Sequence, residues 1–152
     1  MKNQNKDIGQ ASEILVRGTQ QRIDAVLLAR PYEAMSLAKD LMSQYPNDYG
    51  VLAMCVRTAL QGESVSGKMM LTSDVNEAIQ KAAKDRMFNP ELSALAFASK
   101  ISIGGKPDGE DMTALTRAFK MDPRITKKTM VLVKDKTKGL SIGGLGECIS
   151  EK

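Results

Sequence analysis

Between Ser73 and Asp85 the apolar residues fall at Val75, Ala78, Ile79, Ala82 and Ala83, the i, i+3, i+4, i+7, i+8 template of a helix with one buried stripe. The same spacing runs through Ala34, Leu37, Ala38, Leu41 and Tyr45, through Val51, Leu52, Cys55, Ala59 and Leu60, and through Met112, Leu115, Ala118 and Phe119. Start and stop signals bracket these stripes. Pro31 suits a first helical turn, because its missing N–H would have had no intrahelical partner. Asn47-Asp48, Ser73-Asp74 and Asn89-Pro90 read as helix starts, Pro46 as a stop, and Gly104-Gly105 as the end of a helix running to about Ile103.

The pattern therefore predicts helices from about Gln10 to Ala29, Pro31 to Tyr45, Asp48 to Gln61, Ser73 to Asp85, Asn89 to Ile103 and Glu110 to Met121. Gly62 to Ser73 reads as a loop-like insertion. Ile125 to Val133 is rich in β-branched residues and has strand character, but a lone strand has nothing to pair with, so a seventh helix is expected there. The fold class that follows is all-α, with six or seven short amphipathic helices packed as antiparallel hairpins. Residues 1–9 are expected to be a flexible N-terminus, 10–138 a single helical domain, and 139–152 a Gly-rich tail.

Three stretches end alike, at Tyr45-Pro46, Asn89-Pro90 and Asp122-Pro123, with the prolines 44 and 33 residues apart (46 to 90 to 123). The second interval is close to the period of a helical-hairpin repeat. Aligned on those prolines, Ala34, Ala78 and Asp111 share a position, as do Ala38, Ala82 and Leu115, and Leu41, Asp85 and Ala118. Small residues at such positions let neighbouring helices approach closely. Tyr32-Glu33-Ala34-Met35-Ser36-Leu37-Ala38 through Tyr45-Pro46, and Ala118-Phe119-Lys120-Met121-Asp122-Pro123, resemble the second helix of tetratricopeptide repeats. The resemblance spans residues 32–123. The family's first-helix signature should fall at Leu52, Cys55, Val56 and Ala59 and again at Ala96, Ser99, Lys100 and Ile103, where only its hydrophobic character is kept. An α-solenoid of that kind and an irregular helical bundle both fit the pattern.

Composition narrows the chemistry. The chain has 152 residues, enough for one domain with a real core, and its 42% hydrophobic and 26% charged content is that of a globular protein. It has no histidine and only two cysteines, Cys55 and Cys148, so the commonest general base and a structural zinc site are both excluded. No metal or cofactor is expected. The acids that cluster, Asp108, Glu110 and Asp111, stand where a helix begins and read as capping residues rather than a catalytic pair. Gly62-Glu63-Ser64-Val65-Ser66-Gly67-Lys68 matches the core of a phosphate-binding loop. Met69 follows where Ser or Thr should hold magnesium, and a helix rather than a strand precedes it, so a flexible connection is the better reading. Met69-Met70 in that connection are expected to be exposed. A cytoplasmic, non-enzymatic protein is the expectation, since no apolar run is long enough to span a bilayer and no disulfide framework is present.

Charge is unevenly placed. Residues 1–76 are neutral, with eight basic and eight acidic side chains, so the net +4 lies in the second half. Lys120, Arg124, Lys127, Lys128, Lys134, Lys136 and Lys138 stand against only Asp122 and Asp135. This is either a solvated terminal face or a basic patch for an acidic partner or nucleic acid. The second use is weakened by the lack of aromatics after Phe119 to stack on bases.

The expected function is a protein–protein interaction module: a scaffold, adaptor or assembly chaperone that holds a partner's peptide or helix in a groove. In a tetratricopeptide-like arrangement the first helices of each pair line the groove, which implies Arg57, Leu60, Phe97 and Ile101. In size and helix count the chain resembles the repeat-containing chaperones of bacterial secretion systems. Two alternatives stay open, a structural subunit of a phage or secretion-type assembly or homo-oligomer, and a nucleic-acid accessory protein using the basic C-terminal segment.

Overall fold

The computed structural model describes residues 11–137 as an all-α protein, without a strand among them. The described residues form α1 (Glu13–Val26), α2 (Pro31–Gln44), α3 (Tyr49–Ser66), α4 (Ser73–Asp85), α5 (Pro90–Ser102), α6 (Gly109–Met121) and α7 (Pro123–Val131), followed by a 3₁₀ turn, Lys134–Lys136. Within each of two units consecutive helices pack as hairpins, a pattern compatible with a helical-repeat fold. The chain divides between Met70 and Leu71 into two compact units. The segments read as a flexible N-terminus (1–9) and a Gly-rich tail (139–152) lie outside the described residues.

In the first unit α2 packs on both α1 and α3. Asp48 sits at the junction. Its Oδ1 accepts from Val51 N at 3.0 Å, capping α3, and its Oδ2 accepts from Ala11 N at 2.7 Å, drawing the start of α1 to the start of α3. Ala34 and Ala38 on α2 are fully buried, small side chains that leave room for a neighbouring helix. In place of the single inward stripe read from the sequence, α3 is buried nearly all round from Val51 to Leu60, with only Arg57 half-exposed. A helix apolar on every side belongs inside a core. By contrast α1 buries only Thr19 and Ile23, while Ile14 is 81% exposed.

The helix read as ending at Gln61 continues to Ser66, so Gly62 lies inside it and the insertion is shorter than expected. A Cβ on Gly62 would lie 2.5 Å from Met70 Sδ, which explains why glycine is tolerated in this helix interior. The stop is Gly67, whose φ of 77° is the left-handed cap that favours glycine. Of the two methionines expected to be exposed, Met69 is, and Met70 is buried over Gly62.

In the second unit α5 packs on α4, α6 and α7, and α7 also packs on α6. Leu92 to Ser99 are buried without interruption, making α5 the central helix of this unit. The segment with strand character is α7, capped by Asp122 Oδ1 accepting from Ile125 N at 3.1 Å.

The hairpin junctions correct the proline alignment. The helices after each turn are N-capped by Asp48, Asn89 and Asp122, which are 41 and 33 residues apart (48 to 89 to 122). Pro46 lies two residues before its cap, inside the turn, whereas Pro90 and Pro123 are the first residues of their helices. At the three helix ends the C-cap N–H groups of Tyr45, Arg86 and Asp122 donate to the carbonyls of Leu41, Ala82 and Ala118. The matching sets are therefore Leu41, Ala82 and Ala118, then Ala38, Ile79 and Leu115, then Ala34, Val75 and Asp111, and all except Asp111 are buried. The paired small residues belong to α2 alone.

Candidate partner-binding cleft

Because α4 and α6 each pack on α5 and hardly on each other, a concavity of about 420 Å³ opens between them. Ala96 and Phe97 of α5 form its floor, and Ala83 of α4 and Ala114 of α6 face inward from the walls. Three alanines at facing positions leave the volume that longer side chains would fill. The size falls within the roughly 300–1,000 Å³ usual for binding clefts.

One end of the cleft is held rigidly. The start of α6 carries a capping box: Asp111 N donates to Asp108 Oδ1 at 2.9 Å, and Asp108 N donates to Asp111 Oδ2 at 2.8 Å. Lys100 Nζ of α5 joins it, 2.6 Å from Asp111 Oδ2, with both side chains largely covered. The hydrogen bond to Asp111 raises the Lys100 pKa above its ordinary value, against the opposing effect of burial. The Asp111 N–H lowers the Asp108 pKa, helped by the charge of Lys100. Asp111 is thus ion-paired within the protein, and of the two acids lining the cleft Glu110 is the exposed one. From the α4 wall, Gln80 Nε2 donates to Ala96 O at 2.7 Å and to Asn76 Oδ1 at 3.1 Å, and the buried Ser99 Oγ donates to the same Asn76 oxygen at 2.6 Å.

The other end is cationic and apolar. Arg117 Nε donates to Met87 O at 3.3 Å, and its guanidinium lies 5.7 Å from the Phe88 ring centroid, within cation–π range. Phe88 is 65% exposed, and Lys84 is exposed one turn earlier on α4. A cleft with an apolar floor, an aromatic–guanidinium rim and oppositely charged ends can hold an amphipathic segment in one direction. Among the described residues no three His, Cys, Asp or Glu side chains gather as a metal site.

Of the four groove residues inferred from the repeat register, Phe97 lines this cleft. Ile101 is buried one turn further along α5. Leu60 is buried in α3, and Arg57 is half-buried there with Nη2 donating to Gln20 Oε1 at 3.2 Å, both in the first unit. Of the basic residues, Lys120, Arg124, Lys128 and Lys136 are exposed and Lys127 and Lys134 half-exposed, while Lys138 lies outside the described residues. Lys136 Nζ donates to Ser102 O at 3.0 Å. The Gly62–Lys68 motif is the last turn of α3 and its cap, not a phosphate loop. Sequence reasoning missed Lys84, Met87, Ala114 and Arg117. The available signal was Met87-Phe88, a pair of large apolar residues at a helix end beyond the buried stripe.

No helix among the described residues is long and apolar enough to cross a membrane. No family model, no curated protein and no solved structure matches the chain.

Proposed function

We propose that the chain is a noncatalytic protein–protein interaction module of tetratricopeptide-like helical hairpins, a cytoplasmic scaffold, adaptor or assembly chaperone that receives a partner's peptide or helix between α4 and α6. The observation that supports this most directly is the concavity itself, with apolar Ala83, Ala96, Phe97 and Ala114 inside and charge at both ends. An amphipathic occupant would cover the apolar floor of Ala96 and Phe97 with its apolar side and be oriented by Lys84 and Arg117 at one end and Glu110 at the other. The exposed Phe88 and the Arg117 stacked on it are of the types that dominate interface energetics. Here the first helix of a pair, α5, supplies the floor, and the second helices α4 and α6 supply the walls.

Selection of peptides from a random library against the full chain tests this reading. Selected peptides are expected to lose at least about tenfold in affinity on Ala83→Leu, which fills the cleft, and on Arg117→Glu. Peptides that bind the filled variant as tightly as the native chain, or a library that yields no binders, would overturn it.

A further inference from the structure

On α7, Arg124, Lys127, Lys128 and Val131 recur at i, i+3, i+4 and i+7, so they share one face, and Val131 on it is 43% exposed. The opposite side, Thr126, Thr129 and Met130, is buried. Lys120 adds a fourth cation in the last turn of α6. Among the described residues no carboxylate stands within ion-pair distance of Lys120, Arg124, Lys127 or Lys128. Elsewhere some exposed cations are paired at helical spacing, as Arg17 is with Glu13 and Arg30 with Glu33. The acid closest in sequence, Asp122, accepts from Ile125 N as the cap of α7.

This arrangement works against the helix that carries it. Like charges at i, i+4 repel, Arg124 stands in the first turn where the helix dipole disfavours a cation, and α7 has only nine residues over which to offset both effects. An anionic partner would turn the repulsion into attraction. Three features favour a helix as that partner over a phosphate backbone. The cations and Val131 recur once per turn, the ladder that a second helix with acids at its own i and i+4 positions would meet. An exposed Val131 one turn beyond Lys127 and Lys128 gains contact against an aliphatic side chain and none against phosphates. No aromatic residue follows Phe119 to stack on bases.

We infer that the α7 face of Arg124, Lys127, Lys128 and Val131 is a docking strip for an acidic amphipathic helix of a partner protein. The strip lies on a different helix from the cleft walls and does not depend on what the cleft binds.

Fluorescence anisotropy on the full chain provides the test, with two probes: a synthetic helical peptide of about three heptads carrying Glu and Leu on one face, and a DNA duplex of random sequence. The peptide is expected to bind more tightly than the duplex, and to weaken as salt rises from roughly 50 to 200 mM. Arg124→Gln, Lys127→Gln and Lys128→Gln together should reduce peptide affinity about tenfold or more. Val131→Ser should weaken the peptide severalfold and leave the duplex unchanged, a readout that charge neutralisation alone would not give. The inference is overturned if the duplex binds more tightly than the peptide, if the triple variant retains peptide affinity, or if neither probe binds.

Discussion

The α2–α3 and α4–α5 hairpins turn on the same device, a side-chain oxygen of Asp48 or Asn89 accepting from the N–H three residues on, yet their interiors differ. Ala34, Ala38 and Leu41 of α2 are buried against a helix that is itself buried nearly all round. In the second pair Val75, Ile79 and Ala82 are buried, and beside them runs a polar line, Asn76, Gln80 and Ser99. The wall half-exposed next to that line is the one that faces the cleft. A shared turn thus sets the connection, while the side chains along the stripe decide whether a hairpin is all core or has a second face to offer.

The comparison can be broken most forcefully at the two central helices. Leu60 in α3 and Leu95 in α5 are both essentially fully buried, so Leu60→Ala and Leu95→Ala should each cost about 2–5 kcal/mol in denaturant titration. A much smaller loss at Leu95 would mean that the second unit is loosely packed. Next, Asn76→Ala removes the acceptor of both Gln80 and the buried Ser99 hydroxyl, and should cost about 1–3 kcal/mol. Ser99→Ala in that background should restore part of the loss. A matched pair then separates core from cleft: Ala38→Leu overfills a closed interface and should cost about 1–3 kcal/mol, whereas Ala83→Leu projects into open volume and should change stability by less than about 0.5 kcal/mol.

The smallest expected effect concerns pH. Lys100, with its pKa raised in the fold, stabilises below its ordinary value of 10.5 and loses that contribution as pH rises through the folded value. Asp108, with its pKa lowered, stabilises above its ordinary value of 3.8 and loses that contribution as pH falls through the folded value. Both effects are therefore in place across the neutral range. Asp111→Ala removes the carboxylate that pairs with Lys100 but keeps the backbone N–H from which Asp108 accepts, so it should lower stability near pH 7 by about 1 kcal/mol or less and flatten the alkaline limb of a Tm-against-pH curve while largely keeping the acid limb.

Much of the helical order was legible because periodicity and caps are local. Ser73–Asp85 is the helix its stripe predicts, with Val75, Ile79 and Ala82 buried and Ala78 and Ala83 half-exposed, and Asn89-Pro90 and Asp108 sit at helix starts as their chemistry demands. What failed was non-local. Pro46 looked equivalent to Pro90 and Pro123, but a proline stops one helix or starts the next with the same ring, and only the hydrogen bonds of the turn tell which. Gly62 looked like a terminator because nothing in its neighbours announces that Met70 folds back over it. The cleft was invisible for a related reason. It is a gap between α4 and α6, and a gap is written in the distance between helices rather than in any residue. Phe97 was reached through the repeat register, while Lys84 and Arg117 belong to helices that the register assigns to the other side.

Asp122 ends α6 and begins α7 at once: its N–H donates to Ala118 O at 2.9 Å while its carboxylate accepts from Ile125 N. No spare residue separates the two helices, so this corner has no slack in which to swivel. A ligand gripping the α7 cations and one lying along the α6 wall would be set at a constant bearing to each other, as on the two arms of a carpenter's square. Lengthening the corner by a few glycines would leave each grip intact and abolish only their alignment.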